Sequence, residues 1–304
     1  MTDFHVPRGS IVVGVDGSPD ADRAVTWAAQ QAAREHRTLT VVHCADQLLL
    51  RDTAWLDVQG IDHRELAKAL GEAARALVAA ARVKALVTAP DLDVVTLVVD
   101  ADPRVALVDA SEAADLVVVG SRGRGPVASA ILGSVSASVT RHAHCAVVVC
   151  RPPGERAGTG NRVLVGADGT AASRPVLEFA FRQASLRGGP LTVMHCFWDV
   201  AAATRGPGAV PDEATGAPDD LADLRLLLAE SVAGLAEKYP DVAVTPQLAR
   251  GLVDQCLGDG VPDAGLVVVG RASSSGWSRF LHASCALAVL ERAHTNVAVV
   301  PEAT

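Results

Sequence analysis

Aromatic residues are scarce in this 304-residue chain: five Phe, four Trp and one Tyr make up 3%, against a hydrophobic fraction of 49%. Its cores must therefore be filled by Val, Leu, Ile and Ala. That suits parallel strands buried on both faces beneath Ala-rich helices, and it favours an α/β class. Basic charge is not in excess, since 27 Lys and Arg face 35 Asp and Glu, for a net charge of −8 and a pI near 5.6. A general nucleic-acid binder would carry a basic face that neutralises phosphates, so that class is set aside, although local cations can still serve one ligand. No apolar run approaches the roughly 18 to 20 residues needed to span a bilayer. The opening MTDFHVPRGS has no apolar signal core, so a cytoplasmic protein without membrane partners is expected. Six cysteines (Cys44, Cys145, Cys150, Cys196, Cys256 and Cys285) show neither C-x-x-C spacing nor the density of a disulfide scaffold. Most of them read as small buried apolar residues.

What is present is a repeat. IVVGVDGS at 11–18 returns as VLVGADGT at 163–170, and LTVVHCAD at 39–46 returns as LTVMHCFWD at 191–199. DLVVVGS at 115–121 returns as GLVVVGR at 265–271, and the closing CAVVVCRPP and NVAVVPEA also correspond. Four matched segments in one order indicate duplication of a domain of about 150 residues; a solenoid would repeat every 20 to 50 or so. The expected division is a first domain at 1–152, a Pro- and Gly-rich linker at 153–161 and a second domain at 162–304. A biased stretch at 201–220 is expected to be a mobile surface loop of the second domain.

In the first half, five β-branched runs near 11–15, 38–44, 93–99, 116–120 and 146–150 alternate with four helical patterns. Such alternation predicts βαβ crossovers and a parallel sheet with helices on both faces. Ser18 followed by Pro19 and Asp102 followed by Pro103 are cap and first-turn pairs. Gly133 and Ser134 open the fourth helix.

The segment 120–134 reads GSRGRGPVASAILGS, placing Gly120, Gly123 and Gly133 at G-x2-G-x9-G spacing with Ser134 directly after. Gly120 ends the fourth strand, at the sheet edge where open α/β folds bind ligands, and its missing Cβ is expected to let a sugar or phosphate approach the backbone. Gly123 and Gly125 are expected to let the loop turn its amides inward. At Gly133 and Ser134 the free amides and positive dipole of a helix start suit anionic oxygens, at roughly 0.3 to 1 kcal/mol per contact. Ser134 and Ser136 would add hydroxyl donors, and Arg122 and Arg124 could reach phosphate from the loop. Asp16 ends the first strand in VGVDGS, beside Gly14, where its carboxylate could accept ribose hydroxyls or hold a metal-bound water. The plain alternative for Asp16 is a turn carboxylate beside Gly17 and Ser18.

The segment GSRGRGPVASAILGSVSASVTRHAHCAVVVCRP resembles the signature of the universal stress protein family, of the ATP-binding type, and the resemblance covers both halves. It implies two tandem Rossmann-like domains (adenine nucleotide alpha hydrolase-like), each a five-stranded mainly parallel sheet of order 3-2-1-4-5. The implied ligand is ATP, with Mg²⁺ possible and cyclic AMP as the alternative. Asp16 would bind ribose, Cys44 would offer backbone to adenine, Val119 and Gly120 would line the sugar, and Gly123, Gly133, Ser134, Val135 and Ser136 would hold phosphates. Last strands that pair across an interface, a homodimer and an unidentified protein partner are further implications. Ala146 stands where the family usually has Pro, away from the ligand.

The second half keeps Asp168, Cys196, Gly270 and Ser284 but has Ser273 and Ala283 in place of two motif glycines. A Cβ there would obstruct phosphate or disfavour positive φ, so weak binding or none is expected. His142, His144 and Cys145 in RHAHC invite a zinc reading, yet no fourth ligand stands at a recognisable spacing, and a helix end is expected instead. The functional expectation is a nucleotide-dependent regulator of the stress response. A slow ATPase using the same cradle and an interaction scaffold without nucleotide are the alternatives.

Overall fold

The computed structural model describes residues 4–45, 63–123, 132–152, 160–198, 208–209, 219–258, 264–271 and 277–303. The chain divides into two units, Met1–Cys150 and Arg151–Thr304. Arg124, Gly125 and Ser273, most of the 201–220 stretch and nearly all of the 153–161 linker lie outside the described residues.

The first unit runs β1 (Ile11–Gly14), α1 (Pro19–Glu35), β2 (Leu39–Cys44), α2 (His63–Thr88), β3 (Val94–Val99), α3 (Pro103–Ala110), β4 (Leu116–Gly120), α4 (Ser134–His142) and β5 (Ala146–Cys150). Its strands lie in the order β3-β2-β1-β4-β5, and every neighbouring pair is parallel. Ile11, Val12 and Val13 of β1 and Val117 and Val118 of β4 are fully buried, as befits strands covered on both faces. Edge strand β3 instead mixes half-buried and exposed positions. Helix α1 turns Ala24, Val25, Ala28 and Ala32 inward, and such small side chains let it lie close to the sheet. Both expected caps form: Ser18 Oγ accepts the Ala21 N–H at 3.2 Å, and Asp102 Oδ1 accepts the Arg104 N–H at 2.8 Å. Arg104 hydrogen bonds, foremost that from its side chain, hold the Asp102 carboxyl below its ordinary value, at about 2.

The second unit runs β6 (Arg162–Gly166), a 3-10 turn (Ala171–Ser173), α5 (Arg174–Arg187), β7 (Leu191–Phe197), β8 (Gly208–Ala209), α6 (Asp219–Lys238), β9 (Val244–Arg250), α7 (Val253–Gly258), β10 (Ala264–Arg271), α8 (Trp277–Arg292) and β11 (Asn296–Pro301). The order is β11-β10-β6-β7-β9-β8. It repeats the first sheet and adds β8, antiparallel to β9, so among the described residues this sheet has six strands rather than five. The added pair is only two residues long and falls within the stretch read from sequence as loop, where no β-branched run marks it. The first helix also starts differently. Thr170 Oγ1 donates to Asp168 Oδ1 at 2.8 Å and caps nothing, and Ala171 stands where the first unit has Pro19. The chain accordingly makes a 3-10 turn before α5 begins.

Candidate functional site

At the carboxyl edge of the first sheet, the ends of β1, β2 and β4 and the starts of α1 and α4 surround a cavity of about 740 Å³, within the roughly 300–1,000 Å³ of small-molecule sites. Gly14, Asp16, Cys44, Val119, Gly120, Arg122, Gly123, Gly133, Ser134, Val135 and Ser136 all line it. Residues separated by more than a hundred positions are thus gathered in one concavity, with Asp16 on the same sheet edge as Gly133 and Ser134.

Asp16 has a turn to hold. Its Oδ1 accepts the Ser18 N–H at 2.9 Å, an Asx turn of the kind that precedes many helices. Its Oδ2 lies where a Cβ on Gly123 would come within 2.6 Å. The bare backbone at Gly123 therefore makes room for the Asp16 carboxylate and joins the end of β1 to the loop after β4.

Gly120 has a different reason from the one its spacing suggested. A Cβ there would stand 2.7 Å from the Asp20 carbonyl carbon, 2.8 Å from Asp20 Cβ and 2.9 Å from the Ala21 nitrogen. The glycine admits the first turn of α1; ligand approach is not what needs the space. That turn then grips the loop. The buried Asp20 carboxylate accepts Ser121 Oγ–H at 2.6 Å and the Arg122 N–H at 3.1 Å through Oδ2, and it pairs with Arg23 through Oδ1. Ser18 Oγ donates to the Arg122 carbonyl at 3.4 Å. Both main-chain groups of Arg122 are so fixed while its half-buried side chain borders the cavity.

The start of α4 supplies the other wall. The first bond of its ladder runs from the Ala137 N–H to the Gly133 carbonyl at 2.9 Å, so the amides of Ser134, Val135 and Ser136 have no carbonyl one turn earlier in the helix. Gly133, the cap residue, brings no side chain to cover them. Its φ of −63° is ordinary, so the glycine is not there for a left-handed backbone. A Cβ would sit 3.3 Å from both the Ser121 carbonyl and Ser136 Oγ, and the constraint is closeness. Ser134 is exposed. Ser136 differs from the sequence expectation: it is buried, and its hydroxyl points at the Gly133 and Ser121 carbonyls, 3.0 and 3.3 Å away. With its hydrogen used internally, Ser136 offers the cavity an amide and not a hydroxyl donor.

Strand β2 outruns β1, whose last bond to it is from the Val15 N–H to the Val42 carbonyl. His43 and Cys44 thus project past β1 to the cavity. His43 Nδ1 lies 2.7 Å from the Val15 carbonyl. A carbonyl can only accept, so Nδ1 carries the hydrogen and the ring braces the peptide before Asp16. Burial, with the Asp102 charge adding to it, pushes the Cys44 thiol up to about 12. It is a neutral packing group at physiological pH. At the far end of α4, His142 Nδ1 meets the Ser138 carbonyl at 2.9 Å and the His144 N–H donates to Ser111 Oγ at 2.8 Å. Among the described residues no group of three or more His, Cys, Asp and Glu is arranged to hold a metal.

The second unit keeps the turn and loses most of the cavity. Asp168 Oδ1 accepts the Thr170 N–H at 2.9 Å, and His195 Nδ1 meets the Ala167 carbonyl at 3.2 Å. The matching cavity is only about 180 Å³. Asp168, Cys196 and Gly270 border it, together with Glu302, whose carboxylate lies against Gly270. Ala172 and Arg271 stand where the first unit has Asp20 and Ser121, so that clamp has no counterpart. Ser284 falls in α8, and its side chain lies outside the described residues.

The Universal stress protein family model matches residues 7–151 and again 160–301. The chain belongs to the universal stress protein family. A universal stress protein of Mycolicibacterium smegmatis is 34% identical over 294 residues, covering 95% of this chain and 96% of that one. Another, of Mycobacterium tuberculosis, is 35% identical over 310 residues, with 95% and 96% covered. In fold, a universal stress protein from Archaeoglobus fulgidus superposes with a TM-score of 0.67 over 97% of both chains at 19% identity. Universal stress protein domains therefore stand in tandem in this chain. Among the described residues no helix is long and apolar enough to cross a membrane.

Three residues of this site escaped the sequence reading. Asp20 and Ser121 belong to no motif that the sequence displays. Nothing local announces that they meet across 101 positions. His43 did carry a signal, since it returns as His195 in the second half.

Proposed function

We propose that the first unit binds one adenine nucleotide, ATP in the first instance, and that the chain acts as a nucleotide-dependent regulator in the stress response. The observation that carries this reading is the single 740 Å³ cavity in which the Asp16 carboxylate shares a sheet edge with the open amides of α4. A ribose needs acceptors for its hydroxyls and a polyphosphate needs donors and positive potential, and the two ends of the cavity differ in that sense. Asp16 and the neighbouring end of β2 would take the nucleoside, while Ser134, Val135 and Ser136 amides, with Arg122, would take phosphate. Mg²⁺, when it accompanies ATP, would screen phosphate charge from Asp16. The second unit, with about 180 Å³ and a carboxylate beside Gly270, falls below the usual range for such ligands.

The test is mass spectrometry of small molecules released on denaturing freshly purified protein, followed by calorimetric titration of the stripped chain with ATP and with cyclic AMP. One ATP per chain is the expected stoichiometry. Two equivalent tight sites, or preference for cyclic AMP, would overturn the assignment. Sustained ATP turnover at ordinary enzymatic rates, about 1 to 10³ per second, would replace the regulatory reading with an enzymatic one.

A further inference from the structure

The small cavity of the second unit is complete at one end and altered at the other. Every lining residue that the ends of β1, β2 and β4 and helix α3 give to the first cavity has its counterpart on the second, from the ends of β6, β7 and β10 and from α7. Strand register fixes the correspondence: Gly14 lies beside Val42 as Gly166 lies beside Met194, and Leu107 packs under Gly14 as Leu257 packs under Gly166. Asp168 alone would say little, because its Oδ1 holds its own turn. A whole matching wall is not explained by one turn. Buried Met194, Leu257 and Val269 give that wall apolar sides. Its polar edge comes from β7. The Met194 carbonyl accepts the last bond from β6, at the Ala167 N–H, while the Phe197 carbonyl accepts the Gly251 N–H on the opposite side. Main-chain groups two residues apart face the same way along a strand, so the Cys196 carbonyl is turned to the side that β6 has already left.

The altered end is the one suited to anions in the first unit. Helix α4 begins at Ser134, whereas α8 begins at Trp277. The counterparts of the open α4 amides, at Ser284, Cys285 and Ala286, therefore lie inside a helix with their hydrogens directed to carbonyls one turn earlier. Glu302 stands against Gly270 and brings a carboxylate to the cavity; Pro152 occupies the matching place in the first unit. The main chain holds this segment in position, since the Glu302 N–H donates to the Arg271 carbonyl at 2.9 Å and the Ala303 N–H to the Ala172 carbonyl at 3.0 Å. A phosphate placed here would meet negative charge in place of free amides.

We propose that the second unit binds a phosphate-free nucleoside, adenosine in the first instance, and rejects nucleotides through Glu302. The inference rests on the reading of the first cavity as a nucleotide site, from which the shared wall takes its meaning. About 180 Å³ is room for about six waters at ~30 Å³ each, enough to enclose a planar two-ring base between the apolar sides. An amino group on that base would donate to the Cys196 carbonyl. The sugar lies at the mouth, where Asp168 is exposed. Asp168 Oδ2 and the Glu302 carboxylate are acceptors for sugar hydroxyls, and the same charges repel a 5′-phosphate.

The experiment is hydrogen exchange by mass spectrometry on the full-length chain with the first unit saturated by ATP, adding adenosine or AMP. Adenosine is expected to protect residues 194–197 and 253–258, with AMP weaker there by about a hundredfold, as like charges brought together imply. Glu302→Gln is expected to narrow that preference to less than about tenfold. Asp168→Asn, whose amide oxygen still accepts the Thr170 N–H, is expected to weaken adenosine about tenfold by removing one acceptor. AMP protecting these segments as well as adenosine does, adenosine leaving them unprotected, or an unchanged preference in Glu302→Gln overturns the proposal. The wild-type comparison decides even should a variant fail to fold. ATP protection at the start of α4 is read in the same experiment, so failure of the first-unit assignment shows separately from failure of this one.

Discussion

Alanine placed at the two equivalent strand ends, Gly120 and Gly270, turns the repeat into its own control. Neither glycine has a positive φ, so both sites accept an L side chain as far as the backbone is concerned. Each substitution also gains about 0.4–1 kcal/mol by restricting the unfolded chain. The surroundings then separate them. At 120 the new methyl would lie 2.7 to 2.9 Å from the main chain of Asp20 and Ala21, atoms that move only if the first turn of α1 moves. Overpacking of that kind costs about 1–3 kcal/mol. At 270 the methyl meets the far end of the Glu302 side chain, which can swing away. Gly270→Ala is therefore expected to be neutral or slightly stabilising, whereas Gly120→Ala, at a net cost of up to about 2.6 kcal/mol, lowers the melting temperature of the first unit by up to about 10 °C, taking about 2–4 °C per kcal/mol. The assay is thermal unfolding of nucleotide-stripped protein combined with hydrogen exchange by mass spectrometry. Faster exchange in α1 is expected for Gly120→Ala, with α5 unaffected. Equal stabilities for the two variants, or α1 exchange unchanged at 120, would refute the claim that this glycine serves helix packing.

Three more outcomes are expected. Asp20→Ala strands the buried Ser121 hydroxyl and Arg122 amide, costs about 1–3 kcal/mol in urea unfolding, and weakens ATP binding roughly tenfold, a loss of about 1.4 kcal/mol, by calorimetric titration. Cys44, held near 12, is expected to resist iodoacetamide at pH 8 and to react only as pH climbs towards that value; prompt alkylation in folded protein would contradict its burial. Asp102, lowered to about 2, contributes stability that is complete above its unfolded value of about 3.9 and is lost as pH falls through 2. Exchange at the start of α3 should rise over that window, and Asp102→Ala, at a cost of about 0.5–2 kcal/mol, should remove the pH dependence.

The parts legible in the sequence are those decided by neighbours along the chain. The β-branched runs located all five strands of the first unit within a residue or so, because a buried parallel strand needs a continuous apolar stretch. Ser18-Pro19 and Asp102-Pro103 announced their helices because a cap acts within three residues. The duplication likewise gave the second unit its outline, apart from the short β8. Residues of the glycine motif could be assigned to one cavity, yet the reasons for them could not. Gly120 answers to Asp20 and Gly123 to Asp16, and such contacts exist only after the sheet is assembled. Ser136 illustrates the same limit, since only the packed loop shows that its hydrogen is already spoken for by two carbonyls. Cys196 and Cys285 each read as a small apolar residue, and nothing in their separation of 89 positions reveals that they border one cavity.

The Asx turn at Asp168 bears on how other duplicated chains are compared. An acid that secures its own chain reversal is preserved for the sake of folding, so its survival in a second copy says little about cargo. Positions without such local employment are better witnesses. Here Asp20 is matched by Ala172 and Ser121 by Arg271, and it is these differences, rather than the shared aspartate, that set the two halves apart.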